Sequence, residues 1–225
     1  MMISAGCPRD LDGGILEGLG MKVKYTELVP VFKANLQAVF ELATTDELVE
    51  GLAWYRVARE AILDLAAAHG VSPAVAVLIV AALSPQCKWE DNLAVAEQIF
   101  ARKPKVRSFG GCLKANILKA QDILRESATT LDAHFREAPK VRAFAANLGG
   151  NLDAVTVDTH AGQAAWADPL HNGKWTLAQY RVIASVYQKL ALEVGLQPAA
   201  LQAVVWVVWK RLYQPGAKRA LSRAS

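Results

Sequence analysis

Cysteine is scarce in this chain of 225 residues: Cys7, Cys87 and Cys112 are the three present, and no two stand at metal-ligand spacing. A cysteine-built metal site is therefore excluded, and a reducing cytoplasm is the simplest home for such scattered thiols. Histidine is equally thin, since His69, His134, His160 and His171 lie too far apart in sequence to suggest a ligand set. No apolar run reaches the length of a membrane span. The longest, Val71 to Leu83, is short and broken by Ser72-Pro73. The N-terminus shows no basic region followed by an apolar core, so no secretory signal is visible. Runs that alternate apolar and polar residues over strand length are nearly absent, as are internal repeats, low-complexity tracts and phosphate-loop motifs.

What remains is a helix-forming chain. Hydrophobic residues make up 53% and charged ones 20%, a balance that gives a folded globular protein. Alanine, leucine and valine recur at helical spacing almost throughout, which predicts an all-α fold. The net charge of +4 suits a polyanionic partner without demanding one.

Breakers punctuate residues 1–24, predicting an irregular lead-in. Helical patterns follow over Glu27–Ala43, Asp46–His69 and Pro73–Leu83, with Thr45-Asp46 and Ser72-Pro73 as start signals and Gly70 as a stop. The second carries Trp54, Tyr55, Arg56, Arg59 and Glu60, a mixed aromatic and basic face that can touch nucleic acid but reads first as packing plus a solvated ion-pair face. Pro85 stops the third helix, and Ser84 to Asn92 form an exposed loop containing Gln86, Cys87 and Lys88. Cys87 reads as a small, half-buried side chain and not as a nucleophile.

From Arg102 to Lys119 lies the densest basic stretch, including Lys105, Arg107 and Lys114, with Phe109-Gly110-Gly111 at its centre. A Gly-Gly turn before a helix can bind an anion, and a solvated linker is the equal alternative. Thr176 caps a helix through Glu193, and Pro198 starts the last one, whose Val204, Val205, Trp206, Val208 and Trp209 read as a buried apolar face. Lys210-Arg211 and the basic residues beyond them read as a frayed tail.

The chemistry concentrates between Lys140 and His160. Lys140 opens a helical pattern that Gly149-Gly150 ends, and the β-branched run Val155-Thr156-Val157 leads to Asp158 at or beside the N-cap of a new helix. A cap alone would account for that aspartate.

Val157-Asp158-Thr159-His160, preceded eighteen residues earlier by Lys140, resembles the helix-hairpin-helix DNA glycosylases of the endonuclease III type. Two segments in the same order strengthen the resemblance: Ala82-Leu83-Ser84-Pro85-Gln86, and Lys114-Ala115-Asn116-Ile117-Leu118. The resemblance implies a two-lobed helical bundle with a cleft between the lobes: a single all-α domain over 25–213, preceded by the 1–24 lead-in and followed by a basic tail over 214–225. It assigns Asp158 as the catalytic carboxylate and Lys140 as the Schiff-base nucleophile. Gln86, Lys88, Lys105, Arg107, Lys114 and His160 become nucleic-acid contacts. The iron–sulfur cluster of some members cannot form without cysteines after Cys112, and no metal or cofactor is expected.

The chain departs from that family where the glycines of its hairpin should stand. Here the positions read His134-Phe135-Arg136-Glu137-Ala138-Pro139, so the usual backbone grip on a phosphate is missing or rebuilt. The expected function is a monomeric, DNA-acting, glycosylase-like enzyme in the cytoplasm of a bacterium or a virus-infected host, releasing a modified or mismatched base, with lyase chemistry if Lys140 attacks. Two alternatives stay open: base hypermodification in viral DNA, and a non-catalytic DNA-binding protein.

Overall fold

A computed structural model describes residues 25–108, 111–126 and 130–213; the expected lead-in and tail lie outside the described residues. All the regular structure described is helical. A 3-10 turn over Tyr25–Leu28 leads into α1 (Val29–Glu41), α2 (Thr45–Ala68), α3 (Pro73–Leu83), α4 (Trp89–Phe100), α5 (Lys114–Glu126), α6 (Leu131–Phe135), α7 (Pro139–Leu148), α8 (Thr159–Trp166), α9 (Leu177–Glu193) and α10 (Pro198–Tyr213). The all-α architecture follows from composition and periodicity, as the sequence predicts. No single described helix is long and apolar enough to cross a membrane.

Two buried clusters make the core. The first is built around α3, in which every residue from Val75 to Leu83 is buried, and draws in α2, α4, α5, α6 and α7. An all-round apolar helix must lie at the centre of a core, because it has no face to give to water. Ser72 caps it by accepting from the Val75 amide, and Pro73 fills the first turn, where a missing N–H costs nothing. The second cluster joins α1 to α8, α9 and α10 through Phe32, Leu36, Val186, Tyr187, Val205 and Trp209 among others. The two ends of the described chain thus share one lobe and the middle forms the other.

The lobes are held together where α10 crosses α2. A Cβ on Gly51 would lie 2.6 Å from the Val204 Cα, so the two backbones touch at the crossing. Near the far end of the same contact, the Arg211 guanidinium on α10 binds Glu47 in the first turn of α2 and also donates to the Leu42 carbonyl. That hydrogen-bonded pairing holds the Glu47 carboxyl below the ordinary value, with burial opposing. The reading of Lys210-Arg211 as frayed tail is corrected here: both lie on α10, and Arg211 reaches across to α2. The capping residue of α2 is Thr44, one position before the expected start signal at Thr45, because Thr44 forms a reciprocal capping box with Glu47.

Trp54 and Tyr55 turn inward while Arg56 pairs with Glu60 on the exposed side, the division the sequence predicts for that helix. The scattered cysteines gave no sign of pairing, yet Cys87, after α3, is bonded to Cys112, before α5, with Cα atoms 4.6 Å apart. A separation of 25 residues hides the pairing from any local reading. Cys87 is half-buried, as expected.

Candidate functional site

The segment between α7 and α8 is organised by Asn147. This buried amide donates to the carbonyls of Asn151 and Ala154 and accepts from the Thr156 hydroxyl. All of its main hydrogen-bonding capacity is used, which fixes a stretch with no helix or strand of its own. Of the two glycines that end α7, only Gly150 takes a positive φ, 102°; Gly149 remains right-handed. The Asn151 amide reaches back to Ala146 and that of Gly150 to Asn147, a Schellman closure. From there Val155, Thr156 and Val157 run buried to Asp158.

Asp158 is the N-cap of α8, as the sequence predicts. Its Oδ1 accepts from the Ala161 amide at 2.8 Å, and its Oδ2 accepts from the Trp206 indole N–H at 3.1 Å. A cap needs only the first of these bonds. The second, from a residue on α10, fixes both oxygens and is what a bare cap lacks. Trp206 was read from sequence as part of a buried apolar face; it is instead only half-buried, with Lys210 lying 3.9 Å over its ring.

Asp158 and Lys140 line one cleft of about 850 Å3 at the boundary between the two clusters. One wall is the α6–α7 turn and the start of α7; the other is the 173–175 loop and the start of α9. Among the described residues no ion pair joins Lys140 to Asp158. Tyr180 ties the two walls. Its hydroxyl donates to the Val155 carbonyl at 2.8 Å, accepts from the Val157 amide at 3.4 Å, and lies 3.4 Å from the Pro139 carbonyl beside Lys140. One phenol therefore fixes the backbone immediately before both candidate residues.

Trp175 on the opposite wall is held by stacking on His171, ring centroids 4.0 Å apart, and by the absence of a side chain at Gly162. A Cβ there would lie 2.1 Å from the Trp175 ring. Behind it, Gln163 donates to the carbonyls of Pro169 and His171 and accepts from the Trp209 indole, locking the loop to α8 and α10. Among the described residues no three His, Cys, Asp or Glu side chains converge to hold a metal ion.

Burial raises three tyrosines, Tyr55, Tyr180 and Tyr187, and the negative charge of Asp158 adds to the rise in each. Tyr180 is pushed up to about 12, with the Val157 amide partly opposing; Tyr55 is raised against the opposing Thr156 hydroxyl, and Tyr187 is raised well above the ordinary value. A raised phenol stabilises the fold below its ordinary value near 10, and this contribution is lost as pH climbs through the folded value. Spectrophotometric titration should therefore show a large tyrosine ionisation step well above pH 10 that coincides with loss of helical signal. A single step near pH 10 with helicity intact would contradict the burial of these hydroxyls.

The remaining predicted contacts lie elsewhere. His160, in the first turn of α8, sits with its Nδ1 3.4 Å from Gln163 Oε1 and its ring 6.4 Å from Trp206, beside the cleft and not on its wall. Gln86 is exposed in the α3–α4 turn with a left-handed φ of 62°, and Lys88 is the exposed N-cap of α4. Lys105 and Arg107 border a separate hollow of about 540 Å3 whose loop is clamped by Gln98 bonding both the amide and the carbonyl of Arg107. Lys114 is the exposed first residue of α5. Lys119, counted in the basic stretch, instead donates to the His134 carbonyl. Phe109 and Gly110 of the expected anion-binding turn lie outside the described residues. Sequence reasoning missed Arg136, Lys174, Tyr180, Arg181 and Trp206. Only the run Arg136-Glu137-Ala138-Pro139-Lys140-Val141-Arg142, with three cations in seven residues, carried a local signal.

The chain belongs to the family described as "Family of unknown function (DUF7178)", whose model matches residues 23–212. Among curated proteins and among solved structures, none matches it.

Proposed function

We propose that this family member is a glycosylase-like enzyme acting on a base in DNA, with Asp158 as the catalytic carboxylate and Lys140 as the amine nucleophile. The observation that carries the reading is a carboxylate whose two oxygens are fixed by separate donors, on the wall of a cleft that Lys140 also lines. The cleft falls within the size range of small-molecule sites, about 300–1,000 Å3, enough for one displaced nucleotide.

As the bond between C1′ and the base nitrogen breaks, its electron pair leaves with the base, which takes up a proton. Positive charge develops on C1′ and the ring oxygen, and a fixed carboxylate stabilises it without reorganising. Asp158 can alternatively take a proton from water, whose oxygen then bonds C1′. In the lyase branch the Lys140 nitrogen, once deprotonated, bonds C1′, and ring opening gives an imine that a hydride donor reduces to a stable link. A base in a duplex must first leave the stack, at a cost that is smaller for mismatched or damaged bases. The departure in the hairpin is compatible with this chemistry, because the glycines of that motif concern the grip and not the reacting atoms.

The test is incubation with end-labelled oligonucleotides carrying a panel of altered and mismatched bases, with and without borohydride. The reading expects base release from at least one substrate, and a trapped covalent product if Lys140 attacks. Base conversion without release would move the activity to hypermodification, and no change on any substrate would overturn the reading.

A further inference from the structure

The cleft that holds Asp158 is strongly biased in charge. Its walls bring together Arg136 from the α6–α7 turn, Lys140 and Arg142 from the first turns of α7, Lys174 from the loop before α9, and Arg181 from α9 itself. Against these cations stand two carboxylates, Glu137 and Asp158. The whole chain carries only +4, so a large share of its excess is focused on one concave surface, where low-dielectric walls strengthen the field on an incoming anion.

Some cations outside the cleft are committed to partners, although Lys88, Lys105 and Lys114 make no ion pair among the described residues either. Lys33, Arg56, Arg125 and Arg211 are each paired with a carboxylate, and Lys119 is committed to a backbone carbonyl. Arg136, Lys140, Lys174 and Arg181 make no ion pair among the described residues. Like charges gathered from three chain segments repel one another, and a bound anion relieves that repulsion.

Proline at position 139 removes one first-turn amide of α7, and the cationic side chains of the cleft add donors of their own. Two of the three outermost are arginines, whose planar fork matches the oxygens of a phosphate in pairs. Trp175 and Tyr180 line the same cleft and bring aromatic surface of the kind on which sugars and bases rest. An acidic peptide would use the charge but not the rings.

We infer that this cleft is a phosphate clamp, in which Arg136, Lys174 and Arg181 hold the phosphodiester groups of a nucleic-acid strand on either side of the nucleotide presented to Asp158. The clamp deepens the proposed function and rests on it for the orientation of that nucleotide. It also reassigns the main grip from the surface of Lys105, Arg107 and Lys114, which borders a different hollow or stands exposed on α5, to the cleft itself.

The experiment measures binding of a fluorescently end-labelled oligonucleotide, single-stranded and duplex, by anisotropy over a salt series. The full chain is compared with the triple variant Arg136→Ala, Lys174→Ala, Arg181→Ala and with Lys105→Ala, Arg107→Ala, Lys114→Ala. The substituted side chains in both sets are exposed, so both variants should retain the parent's helical circular dichroism. Each phosphate contact contributes about 0.9 to the slope of log K against log salt in duplex DNA and about 0.7 in a single strand. The cleft variant should therefore flatten the slope by roughly 2–3 and bind about tenfold or more weakly, and the second variant should match the parent. Charge reversal by Arg181→Glu should weaken binding further than Arg181→Ala.

An unchanged slope in the cleft variant overturns the clamp, as does a parent that binds neither form at low salt. The two ideas fail separately. A flattened slope with no base release on any substrate keeps the clamp and removes the glycosylase reading; base release with an unchanged slope does the reverse.

Discussion

Asp158→Asn should leave the protein folded and bound to DNA while lowering base release by about 10²–10⁴-fold, the usual contribution of a positioned acid–base or charge-stabilising group. Asparagine is as good an N-cap as aspartate, so α8 keeps its start. The side-chain oxygen can still accept from the Ala161 amide, but the amide nitrogen then faces the Trp206 indole N–H, donor against donor. That lost bond should cost about 0.5–1.5 kcal/mol of stability, far too little to explain a loss of chemistry. The measurement pairs single-turnover base release with thermal unfolding. If the rate survives while Tm falls slightly, Asp158 is a helix cap and nothing more, and the proposed mechanism goes with it. Trp206→Phe is the control: it removes the same indole donor and keeps the carboxylate, so activity should fall far less than in Asp158→Asn.

The second large effect is structural. Gly51→Ala should destabilise the whole molecule, because the added methyl would meet the Val204 Cα, Cγ2 and backbone nitrogen at 2.6–2.7 Å. A flexible side chain could move aside, but a backbone on a packed helix cannot, so α2 and α10 must separate. Overpacking of this kind typically costs about 1–3 kcal/mol, and for a chain of this length each kcal/mol lowers Tm by about 2–4 °C. The better intrinsic helix propensity of alanine returns at most about 1 kcal/mol. Since this crossing joins the two lobes, the cleft should loosen as well, and DNA binding should weaken at temperatures where circular dichroism still reports folded helices. An unchanged Tm would show that the helices slide apart without penalty.

Much of this was legible in the order of residues. Ser72-Pro73 and Pro85 bracket α3, Thr176 and Pro198 open α9 and α10, and Asp158 falls at the start of α8, because caps and breakers act within a single turn of chain. A capping box such as Thr44 with Glu47 is equally local, and taking Thr45 as the start signal overlooked the Glu47 that stands three positions after Thr44. The apolar run of α3 announced a buried helix for the same reason, since periodicity is a property of neighbours.

What the sequence determined by itself is a set of helices, their ends, and the placement of a carboxylate on one cap and a lysine in the first turn of another. Only the tertiary structure decided which of these meet. Trp206 reaches Asp158 across 48 positions, Arg211 reaches Glu47 across 164, and Tyr180 ties Val155 and Val157 to Pro139. Cys87 finds Cys112 only because α3 and α5 pack side by side. The reason is physical: helix signals depend on the next three or four residues, whereas these contacts depend on the angle and depth at which helices cross, set by the volume of side chains such as the missing one at Gly51. The cations of the cleft belong to the same class, drawn from three segments that look unremarkable apart and form one charged wall once the two lobes close on each other.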